Sequence, residues 1–252
     1  MRLDKTVQEH YGSRSKAAQA ISDGLVLVNG KPSEASYSVK ETDEISFLEA
    51  AESYVSAGGF KLAKALRDFS FSVQGFICAD IGASNGGFTD CLFQNGAKKV
   101  YCIDVGENQL DKSLLDKNVV IIDNCNARNL CTDIFKDSLD LVTIDVSFIS
   151  LTYILGAVSS VLQDGRHVLA LIKPQFEMDS PSVGKNGIVR DPRLRKRAVS
   201  RILGYAATVS LAPQRITEAP RREGKNVEYV VLLEKSGTPQ DEEKLLKAVG
   251  LQ

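Results

Sequence analysis

Four ionisable residues stand at places where a sheet could carry them to one edge. Lys173 closes Leu169-Ala170-Leu171-Ile172-Lys173 and is followed by Pro174. An ammonium after four apolar residues needs a carboxylate partner or a task of its own. Asp145 closes Leu141-Val142-Thr143-Ile144-Asp145, Glu228 opens the last apolar run in Asn226-Val227-Glu228-Tyr229, and Lys61 follows Gly58-Gly59-Phe60. Ligand sites of open parallel sheets lie at the carboxyl ends of the strands. Two readings fit. Ion pairs could simply staple strand ends together. Alternatively, a lysine between carboxylates could align a hydroxyl and stabilise the alkoxide that develops from it. An ordinary lysine is protonated at neutral pH, so orienting the hydroxyl suits Lys173 better than acting as its base, although the residues alone do not separate the two roles.

A second constellation is the word Asp80-Ile81-Gly82-Ala83-Ser84-Asn85-Gly86-Gly87-Phe88-Thr89-Asp90. It follows an apolar run and opens a helical one. Gly82 permits a sharp turn, and Gly86 and Gly87 let a ligand approach the backbone. A dinucleotide fingerprint needs G-x-G-x-x-G. Here Ser84 replaces the second glycine, which disfavours a pyrophosphate and suits S-adenosylmethionine. Asp104 ends the next apolar run, about 20 residues on, where an acid can accept both hydroxyls of an adenosine ribose. Asp123, with Asn126 three residues later, lies where an adenine would meet polar groups. The expected cofactor set is therefore Asp80, Gly82, Ala83, Ser84, Gly86, Gly87, Phe88, Thr89, Asp104, Asp123 and Asn126.

The elements that must position these residues follow from hydrophobic period. Strand-like runs at 76–81, 99–104, 119–123, 139–145 and 167–173 alternate with helical stretches near 87–95, 111–116 and 150–162. That alternation predicts an α/β fold, a mostly parallel sheet with helices on both faces. After a helix near 191–208, runs at 214–218 and 227–234 are too close for a helical crossover and should pair antiparallel. Five parallel strands and a terminal hairpin make a seven-stranded sheet similar to that of class I, Rossmann-like, S-adenosylmethionine-dependent methyltransferases. Residues 1 to about 47 read differently. Two short helices carry Leu3, Val7, Ala17, Ala18 and Ile21; Ser13 is a cap and Gly24 a stop. Strands follow at 25–28 and 44–48, the first entering an Asn29-Gly30 turn. The expected division is a small α+β module at 1–47, a linker at 48–57, the main domain at 58–235 and a charged tail at 236–252.

Composition narrows the classes. The chain has 252 residues, 43% hydrophobic and 25% charged, with 31 basic against 32 acidic residues. That suits one large or two unequal globular domains. Five cysteines without a C-x-x-C word disfavour a disulfide framework. Two distant histidines argue against a histidine metal site, so no metal is expected. No apolar stretch reaches the roughly 20 residues of a membrane span, and the start lacks a signal-peptide pattern. A reducing cytosol is the expected compartment.

Taken in order, Lys61, Asp145, Lys173 and Glu228 resemble the Lys-Asp-Lys-Glu tetrad of FtsJ/RrmJ-type ribose 2′-O-methyltransferases. The words SRSKAAQAISDGLVLVNG, GGFKL, DIGASNGGFTDCL, IDVG, NAR, IDVSFISL, IKPQFE and VGKNGIVRDP are similar to those of the TlyA, or haemolysin-like, family, over nearly the whole chain. The N-terminal words resemble the alpha-L RNA-binding domain of a small-subunit ribosomal protein. The resemblance implies methylation of ribosomal RNA at a ribose 2′-hydroxyl, with S-adenosylmethionine as cofactor and ribosomal RNA or a ribosomal subunit as partner. Arg2, Arg14, Lys16, Arg190, Arg193, Arg221 and Arg222 are the expected RNA contacts. The chain departs from the family pattern at Ala57, where arginine is usual, and at Asn85, where threonine is usual. Residues 1–46 carry six basic against seven acidic side chains, which weakens phosphate attraction. Two other readings compete: a non-catalytic RNA- or ribosome-binding protein on a methyltransferase fold, and a cytolytic protein. Keeping all four tetrad residues argues against the first. The want of a membrane span argues against the second.

Overall fold

The computed structural model describes residues 1–22, 26–47, 54–178, 187–220 and 224–252; the side chains of Lys16, Gln19 and Ser22 also lie outside the description. The expected Gly24 stop, Leu25, Leu48, Arg221 and Arg222 fall outside it. The chain forms two compact units, Met1–Ser53 and Tyr54–Gln252.

In the first unit α1 (Leu3–Thr6), α2 (Gln8–Tyr11) and α3 (Arg14–Ser22) precede β1 (Val26–Val28), β2 (Lys31–Pro32) and β3 (Ile45–Phe47). β1 is the middle strand of an antiparallel sheet ordered β2-β1-β3. Asn29 and Gly30 both take positive φ, 53° and 74°, as a two-residue hairpin loop requires. Leu3, Val7, Ala17, Ala20, Ile21, Val26 and Val28 form the core. Of the apolar residues read from the sequence, Leu3, Val7, Ala17 and Ile21 share this core, while Ala18 is only partly buried and lies outside it.

The second unit opens with α4 (Ala57–Phe69), a helix that the sequence reading does not anticipate. Then come β4 (Ile77–Ile81), α5 (Gly87–Gln94), β5 (Lys99–Ile103), β6 (Val119–Ile122), β7 (Leu141–Ile144), α6 (Leu155–Val161) and β8 (His167–Ile172). After these lie α7 (Pro174–Glu177), α8 (Pro192–Thr208), β9 (Leu211–Glu218), β10 (Tyr229–Lys235) and α9 (Glu242–Ala248). The sheet order is β6-β5-β4-β7-β8-β10-β9. β4 to β8 run parallel, and β10 pairs antiparallel with both β8 and β9. That is the seven-stranded sheet with a terminal hairpin expected from the run lengths. One expectation needs correction. The stretch at 111–116 is only a 3-10 turn, Lys112–Leu114, and β6 is joined to β7 by two more such turns. Polar residues such as Asp111, Lys112, Asp116 and Lys117 leave that stretch no continuous apolar stripe to bury.

The sheet separates two apolar layers. Leu62, Leu66, Phe69, Phe88 and Leu92 of α4 and α5 pack on one face. Leu155, Val158, Val199, Ile202, Leu203 and Leu245 of α6, α8 and α9 pack on the other. Strand order reverses on either side of β4, so the loops after β4 and β7 part and leave a crevice at their carboxyl ends.

Candidate active site

The crevice is a cavity of about 190 Å³ lined by Ser56, Gly58, Gly82, Ala83, Ser84, Asn85, Gly87, Phe88, Asp145, Ser147 and Lys173. Two glycines make it possible. Gly82 has φ 79°, and a Cβ there would lie 2.6 Å from the Asp145 carbonyl. A Cβ on Gly87 would run into Ser56 Oγ and the backbone of Gly58 and Gly59, so the amino ends of α4 and α5 meet only because that side chain is absent. Val55 N donates to Asp90 Oδ2 at 2.9 Å and ties the entry of α4 to α5.

Several of the expected cofactor residues do not face this space. Asp80 is completely buried beneath the loop, accepting from Thr89 Oγ1 (2.7 Å) and Thr143 Oγ1 (2.9 Å). Burial pushes its carboxyl up to about 6, the nearby Asp145 charge adding to this against the two hydroxyls. Asp80 and Thr89 therefore brace β4, α5 and β7 from below. Gly86, at φ 94°, turns the backbone into α5 against Leu110 and Leu114. Asp104 accepts from the N–H groups of Ser84 (2.8 Å) and Gly106 (2.9 Å), which fixes its carboxylate beside the glycine loop. Asp123 accepts from Asn108 N at 3.1 Å, and Asn126 Oδ1 caps the next turn through Arg128 N.

The four ionisable residues form two ion pairs. Lys173 Nζ lies 2.6 Å from Asp145 Oδ1, and Lys61 Nζ lies 2.6 Å from Glu228 Oε2. Lys61 is delivered by α4, and Glu228 stands just ahead of β10. The short helix α7 joins the two pairs. Lys173 precedes it, and Gln175 within it donates to Glu228 Oε1 at 3.3 Å. Pro174 at the first position of α7 starts this turn at the strand end.

Two residues beside Lys173 and α7 were not singled out by sequence reasoning. Ser147 Oγ accepts from Lys173 Nζ at 2.9 Å. Phe148 is 91% exposed at φ 64°, with its ring 5.1 Å from that of Phe176. An exposed phenylalanine in a left-handed conformation is unusual, but nothing in a single sequence announces that φ. Lys173 Nζ also sits 6.0 Å over the Phe176 ring.

Among the expected RNA contacts, Arg2 and Arg14 both bind Asp4, at 3.0 and 2.9 Å. Arg193 pairs with Asp191, the cap of its own helix, at 3.0 Å. Arg190 is exposed.

The strand order and the glycine loop are those of a class I methyltransferase domain, and the order Lys61, Asp145, Lys173, Glu228 resembles the tetrad of FtsJ-like enzymes. Residues 54–235 match the FtsJ-like methyltransferase family and residues 1–45 the S4 domain. The chain belongs to the TlyA/hemolysin A family of such two-part proteins. It is 42% identical over 236 residues to Hemolysin A of Brachyspira hyodysenteriae, covering 91% of this chain and 98% of that one. It is 37% identical over 225 residues to the 16S/23S rRNA (cytidine-2'-O)-methyltransferase TlyA of Mycobacterium tuberculosis, covering 88% and 84%. A solved structure described as a hemolysin from Streptococcus thermophilus superposes with a TM-score of 0.75 at 35% identity, covering 98% of this chain and 95% of that one.

Proposed function

We propose that this protein transfers a methyl group from S-adenosylmethionine to a ribose 2′-hydroxyl of ribosomal RNA, a cytidine as in its mycobacterial relative. The observation that carries the reading is the Lys173 ammonium held between Asp145 and Ser147 on the wall of the glycine-loop cavity. The cavity suits the cofactor: Gly82 and Gly87 let the loop and the amino ends of α4 and α5 close around it, and Asp104 is fixed where a ribose can meet it. Bound there, S-adenosylmethionine supplies an electrophilic methyl on a positively charged sulfur.

The protein's own work is alignment. A lysine ammonium has three N–H groups. Ser147 takes one, the Asp145 carboxylate pairs with the charge, and the ammonium keeps donor capacity for the nucleophilic oxygen. Lys173 therefore orients the 2′-oxygen and stabilises negative charge as it forms. Asp145 holds Lys173 and presents a carboxylate to the cofactor side. Lys61 and Glu228, paired with each other and tied to α7 through Gln175, steer the nucleotide. Phe148, backed by Phe176, offers a flat apolar face on which a base can stack. The S4 domain supplies further RNA contacts.

The hemolysin names of two relatives raise a second reading. Among the described residues no helix is long and apolar enough to cross a membrane, so nothing here favours lysis over methyl transfer. The deciding experiment maps 2′-O-methyl groups on ribosomal RNA after incubation with the protein and labelled S-adenosylmethionine. A new, cofactor-dependent 2′-O-methyl is expected. Label in a base, or none, would reject the assignment.

A further inference from the structure

The alignment just described leaves one buried acid unused. Glu177, the last residue of α7, is 2% exposed. Its Oε2 accepts from Ser150 Oγ at 2.5 Å and its Oε1 from Leu151 N at 2.9 Å. Its backbone carbonyl accepts from Arg201 Nη1 of α8 at 2.7 Å. Burial pushes the carboxyl up from the ordinary glutamate range, against these hydrogen bonds and the more distant charge of Arg201. A buried carboxylate whose bonds come from a hydroxyl and a backbone N–H is costly.

What the acid holds explains its place. Ser150 caps the 3-10 turn Leu151–Tyr153, and its hydroxyl also meets Thr152 Oγ1 at 2.8 Å. Between Asp145, fixed by the end of β7, and Ser150 runs the short loop that carries Ser147 and Phe148. Its near end is anchored in the sheet. The Ser150 and Leu151 bonds to Glu177 anchor its far end on the same turn that starts at Lys173 and carries Phe176. Lys173–Ser147, Phe176–Phe148 and Glu177–Ser150 are thus three successive ties between one helical turn and one loop. Only the first lines the cavity.

We infer that Glu177 is a positioning residue, which clamps the Ser147–Phe148 loop to the α7 turn and so fixes where the Lys173 ammonium points. It touches no substrate and acts through Ser147 and Lys173. The inference rests on the ribose 2′-O-methyltransferase reading, and the experiment keeps the two apart. The full-length parent is first shown to methylate ribosomal RNA at a 2′-oxygen; failure there rejects the reading itself. Glu177→Ala, Glu177→Gln and Ser150→Ala are then compared in steady-state methyl transfer, S-adenosylhomocysteine calorimetry and thermal melting.

Glu177→Ala should lower kcat at least tenfold while Kd for S-adenosylhomocysteine stays within twofold. Glu177→Gln should return kcat to within about threefold of the parent, because its amide oxygen still accepts from Leu151 N and its amide N–H can donate to Ser150 Oγ. Ser150→Ala, which leaves the acid and removes one bond, should fall between the two. If Glu177→Ala does not fold, the inference stands or falls on the other two variants: parent-like kcat in Ser150→Ala, or a tenfold loss in Glu177→Gln, overturns it. So does parent-like kcat in Glu177→Ala, or a kcat loss matched by an equal loss of S-adenosylhomocysteine affinity.

Discussion

Lys173 concentrates the chemistry at one ammonium, which donates to Ser147 and pairs with the Asp145 carboxylate and would meet the substrate oxygen with its remaining donor capacity. Lys173→Ala should lower methyl transfer by about 10²–10⁴-fold, the range of positioned proton and charge stabilisation, while S-adenosylhomocysteine affinity by calorimetry changes little. Near-parental turnover would make the lysine a strand-end staple and no more. Phe148 belongs to a different step. Phe148→Ala should raise KM for RNA, consistent with about 1–3 kcal/mol for one base stack, and leave the cofactor Kd alone; an unchanged KM would show that nothing stacks there. Asp80 makes a pH prediction. Its folded value of about 6 lies above the ordinary 3.8, so the protonated form is the one the fold prefers. That contribution is complete below the unfolded value and is lost as pH rises through about 6. At neutral pH the ionised side chain should cost roughly 2–3 kcal/mol, from about 1.36 kcal/mol per unit. Urea midpoints at pH 4.5 and 7.5 test it: Asp80→Asn should gain on the parent as pH rises, and parallel curves would show that Asp80 titrates normally.

At the scale of elements, the most consequential one is only four residues long. The word Lys173-Pro174-Gln175-Phe176-Glu177 gives each polar or aromatic side chain a different partner: Asp145 and Ser147, Glu228, Phe148, and Ser150. The sequence shows its first member plainly, because an ammonium after four apolar residues needs a carboxylate partner or a task of its own. It hides the others, because Gln175 and Glu177 look like polar residues of an exposed turn until the fold buries them. α4 was illegible for a related reason. Its opening Ala57-Gly58-Gly59 discourages a helix on propensity alone, yet the close approach of Tyr54 and Gly87 requires small residues there. The crossovers around β6 erred in the opposite direction, since the βα rhythm promised a helix where the residues could support only 3-10 turns. In the first unit, α1 and α3 converge on buried Asp4, whose carboxyl the Arg2 hydrogen bonds, then Arg14, hold at about 2. A lowered value means stability present above about pH 3.9 and lost as pH falls through 2. Asp4→Asn should therefore destabilise the unit at neutral pH, with the difference shrinking toward pH 2. It should also release two guanidinium groups and steepen the salt dependence of RNA binding, by about 0.7–0.9 in log–log slope for each phosphate newly neutralised. Anisotropy across a salt series reads that slope, and an unchanged slope would mean that Arg2 and Arg14 never reach phosphate.

The whole molecule divides its labour between two compact units, each with its own core. A chain beginning at Tyr54 should keep S-adenosylmethionine binding and lose RNA affinity. Beginning later should fail, because Tyr54 packs on Gly59 and Val55 holds Asp90. A folded fragment from Tyr54 that cannot bind cofactor would refute this division. The strands of the sheet were legible because parallel strands buried on both faces read as unbroken apolar runs, whereas their order and the partners of the site residues depend on connections whose course no periodicity records. The thin crossovers around β6 carry one more consequence. β6 is the outer strand of the parallel half, bonded on one side only to β5, and its Ile121 is 43% exposed. Its amides should exchange with deuterium well before those of β4 and β8, which are flanked on both sides. Asp123 follows this edge strand and Asp104 follows its neighbour β5, so the adenosine end of the cofactor would close beside the edge of the sheet. Slowed exchange at residues 119–126 on adding S-adenosylhomocysteine would record that tightening amide by amide.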